Sequence, residues 1–178
     1  MSQLQEQYLN ETKYAGGINT NLPAVFGGTV TFNGTQVYNG SKVSPIVGSA
    51  AGTTITAGQS GSTFLFDTAA GITYTLPAPV IGQTFKFIVT TSVTSSNHKV
   101  ITSTGTVLLQ GVITSATTTA SVFESVIGSS NISVTMNGTT TGGLVGTQLE
   151  FTCLSATLFQ VFGTNFTSGT TATPFANS

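Results

Sequence analysis

The sequence predicts an all-β protein, an antiparallel β-sandwich or jelly-roll-like domain with an extended N-terminal arm. Threonine and serine together make up 54 of the 178 residues, and threonine is among the residues that suit pleated strands. The chain also has 21 glycines, which favour turns. From Ser62 onward, short segments alternate between apolar and polar residues and are separated by turn signals, whereas no helical period extends beyond two turns.

The alternation is clearest between residues 84 and 91, where Phe85, Phe87 and Val89 fall on one side of a strand and Lys86 and Ile88 on the other. Eight or nine such strands over about 100 residues are typical of a sandwich or jelly roll. We therefore place the sandwich at residues 62–164. The predicted strands are Thr63–Asp67, Ile72–Leu76, Thr84–Thr91, Lys99–Ser103, Thr106–Gln110, Ser121–Val126, Ile132–Met136, Gln148–Leu154 and Thr157–Gly163.

The rest of the chain divides into an arm, a connector and a tail. Residues 1–28 have no clear period, yet interleave aromatic and aliphatic residues with polar ones. They form either a frayed terminus or an extended arm that docks on a neighbour. Residues 29–61 contain Phe32-Asn33-Gly34-Thr35 and its echo Tyr38-Asn39-Gly40-Ser41, and Asn-Gly is a strong hairpin signal. These units form either a small hairpin or a stack around a threefold axis. Ile46-Val47 can add a short strand pairing, and the tail, residues 165–178, is either disordered or a second extended strap.

Composition narrows the possible functions. Four lysines stand against five acidic residues, so the chain has no basic field for a nucleic-acid backbone. We expect no membrane partner, since no segment has the roughly 20 apolar residues that a spanning helix needs. Only 5% of the residues are charged, whereas charge usually occupies about 25–35% of a soluble surface. Much of the surface is therefore expected to be covered in an assembly.

Candidate groups for chemistry are few, and we expect no enzyme, cofactor or metal site. His98 is the only histidine and follows a turn signal, so we interpret it as an exposed turn residue. Cys153 lies on the apolar side of a strand and is interpreted as an inert packing thiol. Six Asn-x-Ser/Thr sequons carry little meaning without a secretory signal. Glycan binding by aromatic residues such as Tyr38, Tyr74 or Phe123 stays open.

Three segments resemble virion-surface proteins of tailed bacteriophages. The first runs from Thr68 to Val89 and contains Leu76-Pro77-Ala78-Pro79, where a strand ends before a glycine turn and a returning Phe/aliphatic strand. The second, Asn21–Gly34, is similar to the base of phage decoration (cement) or head-fibre proteins. The third, Thr157–Thr164, is similar to their last strand, although Phe159 and Val161 stand where those proteins often have Trp-Tyr. The match spans about half of the chain and brings no catalytic residue with it.

The resemblance implies a homotrimer that is made in the host cytoplasm and seated on the major capsid protein, on the outer capsid surface of the virion. The arm would lie against the shell, and the sandwich would point outward and stabilise the capsid. The alternative is a head fibre or tail spike protein whose sandwich binds host-surface glycans. The expected capsid-binding residues are Tyr8, Leu9, Tyr14, Leu22, Pro23 and Phe26, and the expected trimer-interface residues are Phe32, Val37 and Tyr38.

Overall fold

The computed structural model describes residues 45–178, which form eleven β-strands and two 3₁₀ turns. The 3₁₀ turns are Ser49–Ala51 and Ala57–Gln59. The strands are β1 Ile46–Val47, β2 Thr63–Phe66, β3 Thr73–Thr75, β4 Thr84–Val89, β5 His98–Ile101, β6 Leu108–Ala116, β7 Ala120–Ser125, β8 Ser133–Met136, β9 Gln148–Ser155, β10 Leu158–Phe166 and β11 Phe175–Ala176.

The strands form two sheets that pack against each other, so the predicted all-β sandwich is confirmed. The larger sheet has seven strands in the order β1-β2-β4-β9-β10-β6-β7, and the smaller has four in the order β11-β8-β5-β3. The chain moves repeatedly between the sheets. Between β2 and β4, for example, it crosses to the smaller sheet to form β3.

The pairing is mixed rather than purely antiparallel. Four of the nine strand pairs in this part of the chain are parallel: β1–β2, β2–β4, β6–β10 and β3–β5. The remaining five are antiparallel. Parallel neighbours need a crossover connection, and β3 supplies the one between β2 and β4. The sequence pattern shows which residues form strands but not the direction in which they pair.

The core lies between the sheets and is unusually aromatic. Phe64 and Phe66 on β2 and Phe87 on β4 meet Tyr74 of the smaller sheet, with ring centroids 5.2–5.6 Å from the Tyr74 ring. All four rings are at most 1% exposed. Burial of each such side chain contributes about 1.5–3 kcal/mol. The Tyr74 hydroxyl donates a 2.8 Å hydrogen bond to the Leu65 carbonyl, which satisfies its polar end.

Both ends of the described chain join this core. Ile55 and Phe175, which lie outside the predicted sandwich boundaries, are 3% and 6% exposed and belong to the core cluster. The tail is an extended strap, since β11 pairs with β8 and the Ser133 hydroxyl donates to the Ser178 carbonyl at 2.8 Å.

All nine predicted strands are present, and β6, β9 and β10 are longer than predicted, β6 by the most. The strand expected at Thr106–Gln110 is β6, which runs from Leu108 to Ala116. Its pattern is interrupted by Gly111, where the β10 backbone approaches so closely that a Cβ atom would collide with the Val161 carbonyl. Glycine is the residue that permits this contact, so what looks like a strand end in the sequence is a close backbone approach.

Candidate interaction surfaces

The nine predicted capsid-binding and trimer-interface residues lie outside the described residues. They are Tyr8, Leu9, Tyr14, Leu22, Pro23, Phe26, Phe32, Val37 and Tyr38. Candidate surfaces must therefore be sought on the sandwich itself.

His98 is buried rather than exposed, which corrects the interpretation drawn from the sequence. It is the first residue of β5, fully buried, and its ring stacks on Phe66 at a centroid distance of 4.5 Å. Nδ1 accepts the Ile72 N–H at 3.2 Å, so Nε2 carries the proton and donates to the Thr91 carbonyl at 3.3 Å. The turn ends just before it, with Ser96 at a φ of 61°. Both ring nitrogens are thus engaged by backbone groups, which is a structural role.

Burial explains the altered pKa of His98. Desolvation lowers its pKa below 6.5 because the charged imidazolium loses its water, while the Thr91 carbonyl and the charge of Asp67 act in the opposite direction. Asp67 itself is exposed and accepts hydrogen bonds from the Ser49 hydroxyl and N–H. The bond from the Ser49 hydroxyl is the main reason that the pKa of Asp67 lies below 3.8.

Other candidates from the sequence are also structural. Cys153 is 1% exposed, and burial raises the pKa of its thiol, which agrees with an inert packing residue. Tyr74 is fully buried, its pKa is raised by desolvation to about 12, and it is therefore inaccessible to a glycan. Phe123 is half-buried.

Two of the sequon asparagines hold loops in place. Asn137 Oδ1 accepts the backbone N–H groups of Thr139, Thr140 and Thr141. Asn165 is 1% exposed, so its amide lies in the interior.

Within residues 45–178 there is no cluster of three or more His, Cys, Asp or Glu side chains that could hold a metal ion. In the same range, no helix has the length and apolar character needed to cross a membrane.

One end of the larger sheet carries most of the exposed aliphatic side chains. Five strands of the larger sheet run in one direction (β1, β2, β4, β6 and β10), and the other two, β7 and β9, run in the opposite direction. The starts of the five strands and the ends of β7 and β9 therefore lie at the same end of the sheet. Pro45, the first described residue, precedes β1 at this end, which we call the Pro45 end. Its exposed aliphatic residues, which we call the rim, are Ile46, Val80, Ile81, Val126, Ile127 and Leu154, with exposed fractions from 46% to 89%.

The rim extends across the sheet. Ile46 belongs to β1 at one edge, Val80 and Ile81 precede β4, and Ile127 follows β7 at the other edge. Seven strands at a spacing of about 4.8 Å place the two edges about 29 Å apart. An apolar band of this width is suited to contact with another macromolecule rather than with a small ligand.

Two exposed phenylalanines lie on the outer face of the larger sheet, among polar as well as apolar side chains. On β10, Phe159, Val161 and Asn165 point inward and are buried, whereas Phe162 and Phe166 point outward and are 52% and 42% exposed. On β6, Phe162 lies opposite Val112 and Phe166 opposite Ala116, whereas on β9 Phe162 lies opposite Glu150. Val122 of the edge strand β7 is 66% exposed on the same face.

A shallow depression of about 230 Å³ lies beside Phe162, with Leu149 and Gly163 among its lining residues. Small-molecule pockets usually have volumes of about 300–1,000 Å³. The depression is bordered by Lys86 and Glu150, which lie directly opposite each other on β4 and β9. Its small volume and open position make it part of the outer face rather than a separate active site.

The position of these two phenylalanines in the alternating pattern of β10 could have shown from the sequence that they lie on the surface. Phe162 and Phe166 fall on the polar phase of β10, together with Gln160 and Thr164. Their phase places both rings on the outer side of the sheet, away from the core.

No family model, no curated protein and no solved structure matches this chain.

Proposed function

We propose that this protein is a structural virion protein, a homotrimeric decoration (cement) protein that binds the outer surface of the major capsid protein shell and stabilises it. The observation that carries the proposal is the rim of exposed aliphatic side chains at the Pro45 end of the sandwich. The predicted arm precedes this end in sequence. The arm would add its own contacts with the shell.

The charge of the sandwich supports such a role. The described residues include two lysines, one aspartate and two glutamates, and charged groups are expensive to remove from water in an interface. None of them belongs to the rim. Repetition of the same contact three times in a trimer would give high avidity without strong single contacts.

The test is a capsid-binding assay with particles that lack the protein. We expect deletion of residues 1–28 to abolish binding while the sandwich unfolds at an unchanged temperature, because its core lies between Ile55 and Phe175. Unchanged binding by the deletion variant would contradict a docking arm. Particles carrying the full-length protein should also be disrupted at a higher temperature than bare particles.

Two valines provide a matched pair for the rim in the same assay. Val80 belongs to the rim and Val145 precedes β9 at the opposite end of the sheet, yet each is 57% exposed. We expect Val80→Ser to weaken binding roughly tenfold and Val145→Ser to leave it unchanged. Equal effects of the two substitutions would remove the rim from the proposal.

The copy number per particle distinguishes the proposal from its alternative. A decoration protein should be present in hundreds of copies, whereas tens or fewer would favour a tail spike protein with a glycan-binding sandwich. A head-anchored fibre is not separated from a decoration protein by copy number, but it would not raise the disruption temperature of the shell.

A further inference from the structure

The outer face of the larger sheet carries a shallow trough. The depression beside Phe162 adjoins a second one of about 150 Å³, and the two share Lys86 and Glu150. We call the two depressions together the trough. Leu149 and Gly163 belong to the inward phase of their strands and form its floor beside Phe162. The trough crosses β2, β4, β9 and β10, so at a strand spacing of about 4.8 Å it is about 14 Å long.

The strand register explains why the trough runs across the strands. Lys86 on β4 lies opposite Thr63 of β2 on one side and Glu150 of β9 on the other. Glu150 in turn lies opposite Phe162 of β10. These four side chains therefore form a single row across the outer face, with a half-exposed aromatic ring at one end and a hydroxyl group at the other.

Phe162 gives the trough an accessible aromatic ring in polar surroundings. The ring is 52% exposed, and Gln160 and Thr164 follow it on the same face of β10. The faces of an aromatic ring carry partial negative charge, which attracts the partially positive C–H groups of a sugar ring. An entirely apolar ligand would remove water from the polar neighbours without replacing their hydrogen bonds, which costs free energy. A saccharide has both C–H and hydroxyl groups, so it suits this mixture.

The polar side chains of the trough match the hydroxyl groups of a saccharide. A hydroxyl group is both a donor and an acceptor of hydrogen bonds. The Glu150 carboxylate accepts, the Lys86 ammonium donates, and the exposed Gln148 amide does both. Because the trough is shallow, the hydroxyl groups on the far side of the ligand stay in water and need no protein partner.

The charge of the trough favours a neutral ligand. Its charged side chains are Lys86 and Glu150, one of each sign, and they are direct cross-strand partners. An anionic ligand would meet a single lysine whose charge is opposed by the carboxylate beside it. The trough therefore lacks the excess of positive charge that a phosphate or an acidic polymer requires.

We propose that the trough binds a neutral oligosaccharide. One sugar ring stacks on Phe162 and bonds through its hydroxyl groups to Gln148 and Glu150. The next sugar along the trough reaches Lys86 and Thr63. The proposal goes beyond the proposed function, because it does not depend on attachment to a capsid. The trough and the rim have no residue in common, so the two contacts are separate.

The test titrates the full chain, with no capsid present, with maltotetraose, cellotetraose and tetra-N-acetylchitotetraose in separate experiments. Saturation-transfer NMR detects the weak binding that a shallow site gives. We expect at least one of the three to bind with a Kd on the order of 1 mM. Phe162→Ala should weaken that binding roughly tenfold. Glu150→Gln should weaken it severalfold, because a neutral acceptor replaces a charged one.

Phe166 provides the matched control. It lies four residues after Phe162 on the same face of β10, is 42% exposed and lines neither depression. Phe166→Ala should therefore bind the saccharide as tightly as the wild type does, and circular dichroism checks that each variant is folded. Equal losses of binding in the two variants would overturn the assignment of the site to the trough.

Two further outcomes would overturn the proposal. The first is a wild type that binds none of the three saccharides at concentrations up to about 10 mM. The second is tighter binding of a sulfated tetrasaccharide from heparin, which would indicate an anion site. Capsid binding is measured in a different assay, in which Phe162→Ala should behave like the wild type. Failure of saccharide binding would therefore leave the proposed function intact, and failure of capsid binding would leave the trough intact.

Discussion

The two faces of β10 carry the same kind of residue in opposite surroundings. Phe159 points into the sandwich and is fully buried, whereas Phe162 and Phe166 point out and are about half exposed. The inner ring belongs to a continuous aromatic core that holds the sheets together. The outer rings contribute little to that core. The comparison shows that buried and exposed aromatic rings alternate along a single strand, so substitutions on its two faces should have different effects on stability.

The largest effect is expected on the inner face, at Phe87. Its ring lies 5.3–5.6 Å from the rings of Phe64, Tyr74 and Phe151. We expect Phe87→Ala to lower the free energy of unfolding by about 3–5 kcal/mol, because it leaves a large cavity between the sheets. Chemical denaturation measures the change.

Phe162→Ala is the matched control for that substitution on the outer face. It should change the free energy of unfolding by at most about 0.5 kcal/mol, because the Phe162 ring is 52% exposed and lies outside the core. Similar losses in the two variants would contradict the division between the faces.

A smaller effect is expected at Asn165, the polar residue on the inner face of β10. Its Oδ1 accepts hydrogen bonds from the Gly143 N–H and the Thr147 hydroxyl, and its Nδ2 donates to the Thr141 carbonyl and the Ser115 hydroxyl. Asn165→Leu should lower the free energy of unfolding by about 1–3 kcal/mol, because buried partners lose their hydrogen bonds.

The exposed Asn177 provides the control, since Asn177→Leu should have no measurable effect. If Asn165→Leu were as stable as the wild type, the network would not be a structural requirement of the inner face.

The smallest effect concerns pH and the buried ring of His98. The folded-state pKa is depressed, so the unfolded chain binds the proton more readily. The stability that neutral His98 provides is therefore complete above pH 6.5 and is lost as the pH falls from 6.5 towards the folded-state pKa. Urea denaturation at a series of pH values should show this decline.

His98→Gln cannot titrate, so the decline below pH 6.5 should be absent in this variant even if it is less stable throughout. The pH dependence of stability that is due to Asp67 is distinct from that due to His98. The pKa of Asp67 lies below 3.8, so protonation of Asp67 changes the stability only in more acidic solution. A wild type and variant with the same pH dependence would show that His98 is not responsible.

The fold could be predicted from the sequence wherever one side of a strand is buried. Phe85, Phe87 and Val89 alternate with polar residues, and this pattern located β4 correctly. The pattern was less informative where backbone geometry determines the length of a strand. Gly111, for example, continues β6 rather than ending it. His98 was wrongly interpreted because the turn signal of Ser95-Ser96-Asn97 stops one residue before it.

The candidate surfaces were harder to predict than the fold. The rim depends on bringing Ile46, Ile81 and Ile127 to one end of a sheet, and strand direction is not encoded in the alternation of residues. The exposed phenylalanines of β10 could have been found from their phase. The capsid-binding and trimer-interface residues expected in the first 44 positions stay predictions.

The strap formed by β11 has a practical consequence for anyone who wishes to attach cargo. Because Ser178 is bound to Ser133 at the start of β8, a peptide fused to the C-terminus would emerge at the Pro45 end, next to the rim. The three exposed threonines between β6 and β7, Thr117–Thr119, lie at the opposite end of the sheet from Pro45 and Ser178. Exposed loop tips of small polar residues tolerate insertions, so an epitope or enzyme inserted there would lie at the end of the sheet opposite the rim.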